Sequence, residues 1–249
     1  MRKQTSKKQN FNHLSKEEYL LSNGIGGVVA GTKSGANTSR HHGLLIADVA
    51  TSKKKFVSKI EESIFVTRDC CIGLSSNQYP NTIYPQGHQY IQNFKLTPFP
   101  TWEYQVGNAQ LKKSIKMVQD TNTSIVQYEN IGKGCYQLNL NPLFVYRDYD
   151  QLFHENKQFD FHFNKAGNQL QIYAKYGATP FYFYFSKGAF KENRNWFKNF
   201  QYEKDKTEGL DYQEDAYSIG EIQIILCAEE SINLIFSVEK KGTVGLLNE

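Results

Sequence analysis

Ile125-Val126-Gln127-Tyr128-Glu129-Asn130-Ile131-Gly132-Lys133-Gly134-Cys135-Tyr136-Gln137-Leu138-Asn139-Leu140 decides the fold class of this chain. In residues 125–128 and 136–140 apolar side chains recur largely at alternate positions, the two-residue period of a half-buried strand. Between them, Gly132-Lys133-Gly134 tolerates the positive φ angles of a tight connection, so the segment reads as a hairpin. The pattern continues on both sides. Gly107-Asn108 and Gly167-Asn168 mark two more hairpins, the latter between strands at 159–163 and 170–173. Phe181-Tyr182-Phe183-Tyr184-Phe185 is aromatic on both faces, as a central strand buried between two layers would be. Residues 222–226 and 232–238 add two strands around Ala228-Glu229-Glu230.

Helical periodicity is scarce, and roughly twelve to fourteen strands are predicted, enough for a large sandwich. The fold class is therefore all-β, a two-sheet antiparallel β-sandwich with few short helices. Residues 15–249 form one domain behind a flexible basic tail at 1–14, because all-β domains of this length commonly stay undivided. Residues 23–43 and 187–220 do not read as strands. Long ordered connections in a compact domain often carry function.

Composition narrows the partners. The 29 basic and 25 acidic residues leave only +4, with the lysines scattered, which argues against nucleic acid. No run approaches the ~18 apolar residues of a membrane span, and the basic start precedes no apolar stretch of a secretory signal. Cys70, Cys71, Cys135 and Cys227 include an adjacent pair and no CxxC. Neither a zinc site nor a disulfide framework is expected, but free thiols in a reducing cytoplasm. No metal or cofactor is implied.

Three constellations are candidates for chemistry. The first runs from Asn23-Gly24-Ile25-Gly26-Gly27 through Gly31-Thr32-Lys33-Ser34-Gly35-Ala36-Asn37-Thr38 to Arg40-His41-His42-Gly43-Leu44-Leu45. A dinucleotide or phosphate loop fails on glycine spacing. An irregular loop that lays Asn37, Arg40, His41 and His42 along one surface would suit sugar hydroxyls, which both donate and accept hydrogen bonds. The same residues read equally well as a structural loop, its glycines serving turns and its histidines satisfying the backbone.

The second is Arg147-Asp148-Tyr149-Asp150. Asp148 and Asp150 share a face of an extended segment, the placement an acid and base pair needs, but Arg147 paired to a nearby carboxylate is the stronger reading. Glu61 and Glu62 are adjacent in a strand and point to opposite faces. The third runs from Trp196-Phe197 to Gly209-Leu210-Asp211-Tyr212-Gln213-Glu214-Asp215. Aromatic faces rimmed by carboxylates hold pyranose rings, although Trp196 serves as well as a packing residue under a long loop. No catalytic signature is present.

Taken in order, these motifs resemble the N-terminal domain of the bacterial and archaeal type of glycogen debranching enzyme, the amylo-α-1,6-glucosidase family. The resemblance rests on Glu18-Tyr19-Leu20-Leu21-Ser22-Asn23-Gly24-Ile25-Gly26-Gly27, Gly31-Thr32, Ser34-Gly35-Ala36-Asn37-Thr38, Arg40-His41-His42-Gly43-Leu44-Leu45 and Ser58-Lys59-Ile60-Glu61-Glu62. Pro98-Phe99-Pro100-Thr101-Trp102, Asn141-Pro142-Leu143, Arg147-Asp148-Tyr149 and the 196–215 region continue it. Ser39 and His41 stand where that family usually carries arginine and tyrosine, and Asp150 where it carries histidine.

The resemblance implies a β-sandwich of the supersandwich kind, found in front of a helical (α/α) barrel that holds the catalytic carboxylates. It also implies an α-glucan partner, with Asn37, Arg40, His41, His42, Trp196 and Asp211 as substrate-binding candidates and no catalytic residue in this chain. The expected role is the non-catalytic N-terminal domain of an α-1,6-glucosidase, with the barrel in cis or in trans. The alternatives are a free-standing α-glucan-binding module and a small sugar enzyme using His42 with a carboxylate.

Overall fold

A computed structural model describes residues 10–67 and 69–240 of the chain. Strands are numbered in chain order. The first sheet runs β1 (Glu18–Ser22), β2 (Val28–Thr32), β3 (Gly43–Val49), β4 (Ser52–Thr67), β12 (Cys135–Asp148), β17 (Gln213–Cys227) and β16 (Ala189–Gln201), with β5 (Cys70–Gly73) beside the far half of β4. The second runs β13 (His162–Ala166), β14 (Gln169–Tyr173), β15 (Phe181–Phe185), β18 (Ser231–Ser237), β11 (Thr123–Asn130), β10 (Ala109–Met117), β9 (Thr101–Val106) and β8 (Ile91–Lys95). A separate hairpin pairs β6 (Ser76–Tyr79) with β7 (Thr82–Gln86), and the short helices are α1 (Phe11–Leu14) and α2 (Glu203–Thr207). All pairings are antiparallel, and the all-β two-sheet architecture stands.

The alternation seen in the sequence explains how the sheets face each other. Leu138 lies between Ile64 and Ile224, and Leu140 between Glu62 and Ile222, while Asn139 and Asn141 point the other way. Phe144, Phe181, Phe183 and Phe236 meet in the interior with ring centroids 5.0 to 6.5 Å apart. Burying each such ring contributes about 1.5–3 kcal/mol. Glu62 is the polar exception on this inner face. Its carboxylate accepts from Lys113, from the Tyr128 hydroxyl at 2.8 Å and from Ser75 at 3.1 Å, as a buried charge requires. Glu61 faces outward, as the strand period dictates.

Several expectations need correction. Gly107-Asn108 and Gly167-Asn168 do close hairpins. Gly132-Lys133-Gly134 does not, because β11 belongs to the second sheet and β12 to the first. Residues 228–230 cross between the sheets in the same way. Asn130 stitches the two crossings together: its side-chain amide donates to the carbonyls of Gly134 and Leu226, both at 3.0 Å, and its own N–H reaches the Glu230 carbonyl at 2.9 Å. Local periodicity sees a strand, a turn and a strand, but not which sheet the second strand joins.

At this end of the molecule Cys135 and Cys227 face each other across β12 and β17, with Cα atoms 4.0 Å apart, and form a disulfide. The expectation of four free thiols therefore fails for this pair and holds for Cys70 and Cys71. Residues 187–220 are largely strand, since β16 spans Ala189–Gln201 and β17 starts at Gln213. The strand expected at 159–163 begins only at His162. Phe161 takes a positive φ of 45° and lays its ring on Tyr217 at 5.1 Å. Finally, within the segment assigned to the tail, α1 buries Phe11 and Leu14. The first nine residues of that tail lie outside the described residues.

Candidate functional site

The glycine-rich stretch divides into three parts with different duties. Residues 23–27 are the turn of the β1–β2 hairpin. Asn23 is fully buried; its Oδ1 accepts from the N–H groups of Ile25 (3.0 Å) and Gly27 (2.8 Å), while its Nδ2 donates to Thr121 and Asn122. Gly26 sits at φ 95°, and a Cβ there would stand 2.0 Å from the Asp48 carboxylate. This part is structural. In the second part Asn37 donates to the carbonyl and the hydroxyl of Ser58 at 3.2 and 3.1 Å, which ties the loop to β4.

The third part, residues 38–42, reaches the surface, and Arg40 organises it. Its Nε and its own N–H both reach Asp205 Oδ2 at 3.0 Å, Nη1 donates to the Asp150 carbonyl at 2.8 Å and Nη2 donates to the Asp211 carbonyl. One guanidinium thus joins the loop to the end of β12, to α2 and to the segment before β17, a use of planar donors that lysine cannot reproduce. His41 is half-exposed. Its Nε2 lies 3.0 Å from Asp150 Oδ1 and its ring stacks on Tyr149 at 4.3 Å. Two of the three positions that depart from the resembled pattern, 41 and 150, are therefore in contact with each other.

His42 points inward. Its Nδ1 accepts the Thr38 N–H at 3.1 Å, which leaves the proton on Nε2, 3.4 Å from Glu18. Burial pushes the imidazole below its ordinary value, so the ring is neutral at pH 7. The hydrogen bond from His42, helped by Lys204, holds the Glu18 carboxyl down at about 2. A His42–carboxylate pair does exist, but both ring nitrogens are committed and the ring is buried. A free acid–base histidine needs neither condition.

Beneath the loop lies a buried ionic cluster. Glu214 accepts from Arg147, from the Tyr202 hydroxyl, from Lys55 at 3.0 Å and from the Phe153 N–H at 3.1 Å. Burial works against its charge, but Lys55 and Arg147 outweigh this and lower its pKa. Desolvation brings Lys55 down to about 8. Arg147 also donates to the carbonyls of Asp148 (3.0 Å), Tyr149 (2.7 Å) and Arg40 (2.7 Å). The pairing of Arg147 with a carboxylate is thus the correct reading of 147–150. Asp148 is held by Lys54 and Ser52, not by Asp150.

Two shallow depressions flank this rim. One of about 280 Å³ is lined by Glu18, Leu20, His41, His42 and Lys204, and another of about 660 Å³ by Arg40, Asp150, His154 and Asp211. Arg40, His41 and Asp211 are therefore brought together, whereas Asn37 and Trp196 are not. Trp196 is half-buried, stacked on Phe153 at 5.5 Å and edge-on to Tyr217 at 5.0 Å, the packing role weighed for it above. Asp215 likewise serves the backbone, accepting from the N–H groups of Asn199 and Glu155 at 2.9 Å. Sequence reasoning missed Glu18, Lys55, Tyr202 and Asp205 as supports of the loop. Only Lys55 carried a signal, as a charge at an inward position of a strand.

The sequence profile described as glycogen debranching enzyme N terminal matches residues 17–233. The chain belongs to that family. No curated protein matches it. Among solved structures, a protein described as a kojibiose phosphorylase from the human microbiome shares 11% identity at a TM-score of 0.37, covering 78% of this chain and 25% of its own. A polysaccharide lyase shares 10% at 0.36, covering 78% of this chain and 32% of its own. The chain thus spans about a quarter to a third of those proteins. In this family domain, no group of histidine, cysteine or acidic side chains among the described residues is placed to hold a metal ion, and no helix is long and apolar enough to cross a membrane.

Proposed function

We propose that this family domain is the non-catalytic partner of a helical (α/α) barrel in glycogen debranching, and that the rim of Arg40, His41 and Asp211 helps position an α-glucan against that barrel. The Arg40 clamp carries the reading. It fixes three separate segments into one polar rim between two depressions, and a rigid second rim is what a barrel active site needs from a neighbouring domain. The hydrolysis itself calls for two carboxylates flanking the scissile bond, one protonating the leaving oxygen and one activating water. In this proposal both belong to the barrel.

The test is glucose release from a branched α-1,6-limit dextrin. The 249-residue chain alone should release none, and adding a barrel domain of the family should restore release. His41→Ala and Asp211→Ala, at surface positions, should then lower it about tenfold or more with melting unchanged. Release by this chain alone refutes the division of labour. A cytoplasmic location belongs to the same proposal, and the Cys135–Cys227 bond is the observation that weighs against it.

A further inference from the structure

A larger groove lies elsewhere, on the outer face of the first sheet. It encloses about 720 Å³, within the range of ligand sites, and no lysine or arginine lines it. Its floor is a row of polar side chains across three neighbouring strands. Glu61 of β4 is in register with Asn141 of β12, and on the far side of Asn141 stands Glu221 of β17. At about 4.8 Å between strands, the two carboxylate-bearing backbones lie roughly 10 Å apart.

Amide donors hold both carboxylates by one oxygen. Asn77 donates to Glu61 Oε1 at 2.9 Å, and Asn139 and Gln223 donate to Glu221 Oε1 at 3.1 and 2.6 Å. Among the described residues no protein hydrogen bond reaches Oε2 of either. The facing wall carries Tyr84, Gln89 and Tyr90, and Tyr84 is 71% exposed. That wall is fastened to the floor: a Cβ on Gly73 would stand 2.7 Å from the Pro85 ring, and one on Gly87 would stand 1.8 Å from the Leu74 carbonyl oxygen. The N–H of Gly87 also reaches the Ser75 carbonyl at 2.9 Å, and that of His88 the Ser76 hydroxyl at 2.8 Å.

We infer that this groove is a binding site for an uncharged oligosaccharide, separate from the Arg40 rim. Ionised carboxylates with a free oxygen accept hydrogen bonds from hydroxyls, neighbouring amides both donate and accept, and an exposed tyrosine ring offers a stacking face. Phosphorylated ligands, uronates and nucleic acids would meet two carboxylates in a lining without lysine or arginine, the nearby Lys59 being already paired with Glu61 at 3.5 Å and buried. The groove is six residues along β4 from Lys55, roughly 20 Å from the cluster beneath the rim. The inference stands independently of the proposed debranching role.

Calorimetric titration of the 249-residue chain with maltoheptaose, cellohexaose, a galacturonate hexamer and calcium chloride tests it. Binding of a neutral hexamer or heptamer is expected, weakened at least tenfold by Tyr84→Ala and by Glu221→Gln and unchanged by Tyr176→Ala, which removes an exposed ring outside both sites. Tyr84 is exposed and Glu221→Gln is isosteric, so unchanged melting curves serve as the folding control. The inference is overturned by three results: no neutral oligosaccharide binds, binding follows His41 rather than Tyr84, or calcium or the galacturonate binds in preference to both neutral sugars.

Discussion

Replacing Arg147 with methionine strands part of the buried cluster, and the structure sets the size of the effect. Arg147 and Glu214 are both nearly fully buried, with side chains 3% and 1% exposed. Removing one partner of such a pair typically costs about 3–5 kcal/mol, because the remaining charge stays buried. Glu214 would keep Lys55 and Tyr202, which places Arg147→Met at the low end, about 3 kcal/mol. In a chain of this size that is a fall of roughly 6–12 °C in Tm. Glu214→Gln should cost more, since it leaves two cations, Arg147 and Lys55, without their counter-charge. Urea unfolding at constant m value measures both, and the double variant Arg147→Met/Glu214→Gln should cost less than the sum of the singles. If Arg147→Met unfolds within 1 kcal/mol of the parent, the cluster does not hold the loop and the argument for a rigid rim fails with it.

Other outcomes follow from the same contacts. Stability should be flat between about pH 6.5 and 8, rise above that window as folded Lys55 sheds its proton before the unfolded chain does, and fall below it. The unfolded chain then protonates His42 while the folded one keeps it neutral; a second loss begins below pH 4.5, as the proton taken up by unfolded Glu18 is refused by the folded carboxyl down to about 2. Urea midpoints against pH would show it, and His42→Gln should shrink the upper step, the remainder coming from His88, whose imidazole burial also holds below its ordinary value. Gly26→Ala should cost about 1–3 kcal/mol in the same assay, from its positive φ and the Asp48 clash. Asp150→Ala should change stability by less than about 1 kcal/mol by thermal melting, because the His41–Asp150 pair is solvent-screened, with side chains 41% and 80% exposed.

Much of the fold was legible in the chain. Alternation in residues 136–140 and the aromatic run 181–185 depend only on the strand period, which is local, and both predicted strands are present. The opposite facing of Glu61 and Glu62 follows from the same rule. The charge-assisted partner of Arg147 was legible as a need, though not as Glu214, which comes 67 residues later. The order of motifs along the chain also pointed to the family that the matched profile identifies.

Tertiary structure alone decided what depends on which distant segments meet. Whether residues 132–134 close a hairpin or carry the chain to the other sheet is set by the partners of β12, none of them adjacent in sequence. The disulfide depends on Cys135 and Cys227 being opposite in register, a relation across a separation of 92 residues. For the rim, the sequence supplied arginine and two histidines in a row. The packing turned Arg40 into a clamp, left His41 against Asp150 and buried His42 on Glu18, because each side chain met a different strand or loop.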